Sequence, residues 1–222
     1  MRESIRIRIQ YYGCKIARLL FGLTVNGSEK VPRKGGVIIA CNHISELDPP
    51  VLGFAIPRSI AYMAKVELFR RRFSDFFLRK LNTFPVNRSG IDTNALRTAI
   101  DYLKRGEAVI IYPEGTRSHD GRLLPAKPGI SLIATASGAP VLPAFIWGTD
   151  HAWRAFARTG EPFSVSFGKL ISNGKLMEIK KKEGKYAMAE AIIAAIARTG
   201  NEIGLYNKID NVKWKDRRDR ER

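Results

Sequence analysis

The chain has three histidines, His43, His119 and His151, and only the first sits in a setting that could do chemistry. In the string NHISELDPP, Asp48 follows His43 by five residues. An imidazole whose one nitrogen is held by a carboxylate keeps its other nitrogen free to take a proton, which is the requirement for a general base. Five residues on a regular helix put the two side chains on different faces, so they meet only if the segment turns back. Asp48 precedes Pro49, which biases it away from the helical region, and Pro50 is read as keeping the chain extended, so the predicted turn is an irregular loop. A second polar cluster is PEGTRS, with Glu114, Gly115, Thr116, Arg117 and Ser118. Gly115 permits a tight turn, and the planar fork of Arg117 suits a phosphate. Arg88 follows the run TFPVN and Lys127 lies beyond PEGTRS. The three cations could converge on one anion, or stand as separate solvated charges.

Elements must bring these clusters together, and the hydrophobic pattern supplies them. Runs at 37–40, 59–64, 83–86, 108–113, 141–146 and 163–171 read as strands, the first two as strands buried on both faces. Helical periodicity is read over 67–81, over a segment capped by Asp92 or Thr93 with the stripe Leu96, Ala99, Ile100 and Leu103, over 130–137, and over 183–198. Strands alternating with helices predict an α/β fold with a mainly parallel sheet flanked by helices. In such sheets, sites gather at the carboxyl ends of strands, where His43, Arg88 and Glu114 fall. At the N-terminus, Ile5, Ile9, Tyr12, Ile16, Leu19, Leu20 and Leu23 recur at spacings of three and four with arginines and a lysine around them. This is one face of a basic amphipathic helix, either covering the core or lying on an anionic lipid surface. The expected organisation is a docking helix over 1–30, one catalytic domain over 31–206 and a charged tail over 207–222.

The 222 residues are enough for one domain with a sizeable core, and 45% hydrophobic with 27% charged residues excludes wholesale disorder. A net charge of +17 implies an anionic partner: a nucleic acid, an acidic membrane surface or phosphorylated substrates. Cys14 and Cys41 lack metal-ligand spacing and read as free thiols in a reducing compartment, and no metal is expected. The uncharged stretch 128–149 is broken by Gly138, Pro140 and Pro143, and the basic N-terminal segment has no unbroken apolar core, so neither a spanning helix nor a signal peptide is predicted.

Taken together and in order, the clusters resemble a known family. NHISELDP is similar to the Asn-His-x4-Asp motif of the glycerolipid acyltransferases of the lysophosphatidic acid acyltransferase type. FPVNR over 84–88 resembles that family's second motif, PEGTRS its third and PVLPAFI over 140–146 its fourth, with MAKVELF over 63–69 similar to the segment between motifs. Asn87 stands where an acidic residue is common, and Pro128 separates Lys127 from Gly129. The resemblance implies transfer of a fatty acyl group from an acyl thioester, on coenzyme A or acyl carrier protein, to the sn-2 hydroxyl of 1-acyl-glycerol-3-phosphate, giving phosphatidic acid. His43 would be the base and Asp48 its orienting partner, with no cofactor beyond the acyl carrier. Arg88, Arg117 and Lys127 would hold the acceptor phosphate, with Glu114, Gly115 and Thr116 completing that site and Glu114 orienting the cations or a glycerol hydroxyl. Val141, Leu142 and Pro143 would line the acyl-donor site or simply pack the core; Asn42 would support an oxyanion or the turn. The implied partners are lysophosphatidic acid, the acyl carrier and an anionic membrane, on the cytoplasmic side of the cell membrane, and not nucleic acid. Another lysolipid or glycerol-3-phosphate is the alternative acceptor, and a basic nucleic-acid-binding protein is the alternative from another class.

Overall fold

The computed structural model describes residues 3–70, 72–87 and 92–205. Arg88 and the tail at 207–222 lie outside the described residues. Seven strands form one sheet: β1 (Thr24–Asn26), β2 (Val37–Cys41), β3 (Ile60–Lys65), β4 (Thr83–Val86), β5 (Ala108–Ile111), β6 (Val141–Trp147) and β7 (Ser164–Phe167). Their spatial order is β1-β7-β6-β2-β5-β3-β4. All neighbours pair in parallel except β6 and β7, so the sheet is mainly parallel, as the alternation of strands and helices predicts. Pro85 is accommodated because β4 is an edge strand, where a missing ladder donor does no harm.

Helices cover both faces. Along β2 the side chains alternate: Ile38 and Ala40 pack with α4 (Thr93–Lys104), α5 (Gly129–Ser137) and α7 (Asn173–Glu202), while Val37, Ile39 and Cys41 pack with α1 (Glu3–Phe21), α2 (Asp48–Ala55) and α6 (Ala152–Phe156). All five residues of β2 are fully buried, so truncating Ile39 to alanine in this layer removes about 2–5 kcal/mol. Asp92 caps α4 by accepting from the amides of Asn94 and Ala95, both at 3.0 Å, which satisfies two donors that a helix start leaves orphaned.

Several elements depart from the sequence reading. β3 is fully buried only over its first two residues. The segment 67–81 is a 3-10 turn at Val66–Phe69 followed by α3 (Arg72–Lys80), not one helix. α7 begins ten residues before its predicted start and is kinked at Gly184, whose φ of 91° no regular helix adopts. Asp48 does not lie in an extended segment: it opens α2, with the two prolines in the first turn. Proline is tolerated there because the first-turn N–H groups have no intrahelical acceptor to lose.

The N-terminal helix packs on α2 through small residues at the border of its apolar stripe. Ala17 is buried, and Gly13 lies so close to Phe54 that a Cβ would stand 2.5 Å from the ring. Ile9, Tyr12, Ile16, Leu19 and Leu20 are exposed and Leu23, beyond the helix end, is buried, while the side chain of Ile5 lies outside the described ones. The described stripe residues within the helix are thus turned outward. Among the described residues, no helix is long and apolar enough to cross a membrane.

Candidate active site

The site is assembled at the carboxyl ends of three adjacent parallel strands, β6, β2 and β5. Beyond β2 the chain enters the loop 42–47 and then α2, which carries Asp48 back toward His43. His43 Nδ1 lies 2.7 Å from Asp48 Oδ2. The same carboxylate oxygen accepts from the amides of Ile44 at 2.7 Å and Ser45 at 2.8 Å, and the hydroxyl of Thr149, from beyond β6, donates to Oδ1. A carboxylate that accepts from amides on this scale is an acceptor for the imidazole as well, so Nδ1 carries the hydrogen and Nε2 is the nitrogen left to act as base. Asp48 is fully buried and His43 nearly so. The Tyr112 ring stacks on the imidazole, centroids 4.1 Å apart and planes 21° from parallel, which fixes the second rotational freedom of His43.

The loop after β5 holds the backbone of His43 from both sides. Glu114 Oε1 accepts from the His43 amide at 2.9 Å, Glu114 Oε2 accepts from the Leu124 amide at 2.8 Å, and the Ser118 amide donates to the His43 carbonyl at 2.7 Å. Burial pushes the Glu114 carboxyl up to about 7; the two amide donors oppose that rise and the neighbouring Asp48 charge adds to it. Burial, with Asp48 and Glu114 behind it, also pushes the Cys41 thiol well up. Cys41 is therefore held as a thiol, its Sγ directed 3.6 Å from Asn42 Oδ1, and is no nucleophile.

The remaining predicted residues divide. Arg117 Nη1 lies 3.1 Å from Glu46 Oε1, which places the guanidinium beside the loop between His43 and Asp48. Its carboxylate neighbour is Glu46, while Glu114, for which the resemblance implies orienting the cations or a glycerol hydroxyl, accepts from backbone amides. Lys127 lies along the PEGT turn: a Cβ built on Gly115, whose φ is +70°, would stand 2.7 Å from Lys127 Cδ and 3.1 Å from Nζ. Glycine is required there twice, for the left-handed backbone and for the lysine that crosses it. Thr116 is exposed on the same turn. Arg88 lies outside the described residues. Val141 and Leu142 are fully buried in opposite core layers and Pro143, next in the strand, is buried too, so these residues pack the core. Asn42 serves neither an oxyanion nor the turn: its side-chain amide exchanges two hydrogen bonds with the Ile146 backbone, at 2.9 and 2.8 Å, and extends the β2–β6 ladder by one step.

An apolar cavity of about 400 Å³ opens beside this loop. Glu46, Pro49 and Pro50 form its catalytic end, Ile9 of α1 one wall, and Met63 and Leu68 part of the other.

The chain that carries this site has counterparts among known proteins. The family model described as Acyltransferase matches residues 22–147. The chain belongs to the acyltransferase family. A relative from Bacillus subtilis, 1-acyl-sn-glycerol-3-phosphate acyltransferase, is 33% identical over 85% of this chain and 93% of its own length. A relative of the same name from Borreliella burgdorferi is 30% identical over 82% of this chain and 72% of its own. Among solved structures, the 1-acyl-sn-glycerophosphate (LPA) acyltransferase PlsC from Thermotoga maritima matches 91% of this chain and 83% of its own, at 28% identity and a TM-score of 0.71. Within this acyltransferase, sequence reasoning missed Thr149, Tyr112 and Glu46 as parts of the site. Thr149 and Tyr112 stand just past strand ends, where the site was expected, but nothing in their spacing reveals their partners.

Proposed function

We propose that the protein transfers a fatty acyl group from a thioester of coenzyme A or acyl carrier protein to the sn-2 hydroxyl of 1-acyl-glycerol-3-phosphate, forming phosphatidic acid. The observation that carries this reading is the 2.7 Å contact between His43 Nδ1 and Asp48, which leaves Nε2 as the base. The names of the relatives from Bacillus subtilis and Borreliella burgdorferi support the choice of acceptor. As the acceptor oxygen attacks the thioester carbonyl, its proton passes to Nε2 and the C–O bond forms. Asp48 steadies the imidazolium. The tetrahedral intermediate then expels the thiolate, which takes the proton from Nε2, so the free thiol leaves and His43 is restored. Direct attack is preferred over an acyl-enzyme because Cys41, the cysteine next to the dyad, is a buried thiol.

Arg117 and Lys127 are the cations placed to receive the acceptor phosphate, with Arg88 proposed as a third. The apolar cavity beside Pro49 and Pro50 is a fitting receptacle for an acyl chain. The outward stripe of α1 and the charge of +17 fit a peripheral enzyme that takes its acceptor from an anionic bilayer, on the cytoplasmic side where anionic lipids attract basic segments.

The test is thiol release from acyl-coenzyme A or acyl carrier protein, with and without lysophosphatidic acid, run beside His43→Ala. Acceptor-dependent release that falls by roughly 10² to 10⁴ in the variant is expected. Undiminished release by a folded His43→Ala protein would remove the mechanism, and release with glycerol-3-phosphate alone would move the acceptor.

A further inference from the structure

The apolar stripe of α1 does not end at Leu20. Phe156 of α6 lies against Phe21, ring centroids 6.2 Å apart, and Trp153 stacks on Phe156 at 5.7 Å. Arg158, just past α6, donates from Nη2 to the Leu19 carbonyl at 3.0 Å, which ties the end of α1 to this corner. Trp153 is 77% exposed, the most exposed large apolar side chain among the described residues, with Leu19 next at 72%. Ala155, on the opposite face of α6, is buried, so the short helix is amphipathic with its aromatic side outward.

We propose that α6 enters the same lipid–water interface as α1, with Trp153 as its anchor. This rests on the membrane reading above and adds a second contact to it. Three observations favour a lipid surface over other occupants. An indole is amphipathic, an apolar body with one N–H, and such rings settle at headgroup depth. Arg154 and Arg158, two residues before and after Phe156 in the chain, are both exposed, so this corner carries cations that complement anionic headgroups. A second copy of this chain would bring another +17 against the same face, which opposes self-pairing.

The placement has a consequence for the site. The 3-10 turn Thr149–His151 leads directly into α6, and Thr149 is the residue whose hydroxyl holds Asp48. A bilayer contact at Trp153 is therefore four residues from the dyad's support, and it fixes the height of the dyad above the headgroups from which the acceptor comes. Together, α1 and α6 set two contact points, enough to define a tilt and not merely attachment.

The experiment uses the full chain carrying Trp147→Phe and Trp214→Phe, so that Trp153 is the sole indole. Vesicles of phosphatidylglycerol and phosphatidylcholine, with and without brominated acyl chains, are added, and binding is measured in parallel by co-sedimentation. The expected result is a shift of Trp153 emission to shorter wavelength and quenching by the brominated lipid. In the otherwise native chain, Trp153→Ala is expected to lower the vesicle partition coefficient about tenfold with the far-UV spectrum unchanged. Vesicle binding with Trp153 emission unmoved, or undiminished by Trp153→Ala, overturns the proposal and leaves docking to α1. Emission that shifts with protein concentration in the absence of lipid assigns the face to a second copy and overturns it too. Absence of vesicle binding by the parent chain removes the membrane reading itself.

Discussion

Replacing Glu114 by glutamine separates what this carboxylate costs from what it does. Glu114 is 2% exposed, and burial moves its carboxyl from the ordinary 4.5 to about 7. An acid that is harder to ionise in the folded chain binds more protons there than in the unfolded chain between those two values. Stability must therefore fall as pH rises from about 4.5 to about 7, and the loss is complete above 7. At roughly 1.4 kcal/mol per pH unit, the full penalty is at most about 3 kcal/mol. Glutamine has nearly the shape of the neutral acid, so at pH 5 the two chains differ only by the amide group that now faces one of the donors, His43 N–H or Leu124 N–H, about 1 kcal/mol against the variant. At pH 8 the native chain bears the penalty and the variant does not. The stability of Glu114→Gln relative to the native protein is thus expected to rise with pH, by about 2–3 kcal/mol between pH 5 and 8, and to cross zero. Urea unfolding followed by far-UV circular dichroism at pH 5, 6, 7 and 8 measures this, and groups common to both chains cancel in the difference. Activity should move the other way, because the variant no longer holds both backbone donors that place His43. A difference in unfolding free energy that stays flat from pH 5 to 8 would refute the reasoning, since it would mean that the carboxylate is not ionising against a buried environment.

Two further substitutions test the support of the dyad and of the turn proposed to hold the acceptor phosphate. Thr149→Val keeps the shape but removes the hydroxyl from Asp48, and a lost hydrogen bond to a buried charge is expected to lower kcat by roughly tenfold or more, with Thr149→Ser restoring most of it; an unchanged kcat in the valine variant excludes the role. Gly115→Ala places a Cβ 2.7 Å from Lys127 Cδ at a φ of +70° and is expected to destabilise by about 1–3 kcal/mol while raising the acceptor KM more than it lowers kcat; thermal unfolding and acceptor titration check both parts, and a normal melting temperature would show that the turn relaxes without strain.

β2, β5 and β6 were legible because they are short runs of uninterrupted apolar residues with both faces covered, whereas β1, with the sequence TVN, offers no such run and was not read. The helix α1 was legible as a helix but not in its orientation. Periodicity reports that Ile9, Tyr12, Ile16 and Leu19 share a face; it does not report that the small residues at its border, Gly13 and Ala17, make the closer contact with the core. The first half of α7 was hidden because its packing depends on few residues, with Leu176 buried among lysines and glutamates that read as solvated chain. α2 was hidden by Pro49 and Pro50, whose helix-breaking signal applies to interiors and not to a first turn. At the site, His43, Asp48 and Glu114 were legible through the order of motifs that resembles a known family, since a histidine and an aspartate five residues apart also occur by chance. Thr149 lies 101 residues from Asp48 and meets it only because β6 and β2 are neighbours in the sheet, which no local pattern encodes.

Two carboxylates are buried beside one imidazole, and the fold equips them for different work. Asp48 receives four donors: the His43 ring, the amides of Ile44 and Ser45, and the Thr149 hydroxyl. Moving a proton from the imidazolium onto Asp48 would set a neutral acid against donors that need an acceptor, and a buried donor left without one is destabilised by about 1–3 kcal/mol. In the proposed reaction, the proton taken from the attacking hydroxyl would therefore stay on His43, where the departing thiolate could collect it. Glu114 receives only two donors, both of them backbone amides, and neither is a side chain that could move in a reaction. Its work is positional, joining the backbone of the β2 loop to that of the β5 loop across the strand ends. The stability it gives up above neutral pH is the cost of making that join with a charge, and a fold under pressure for stability alone would replace it with a neutral amide.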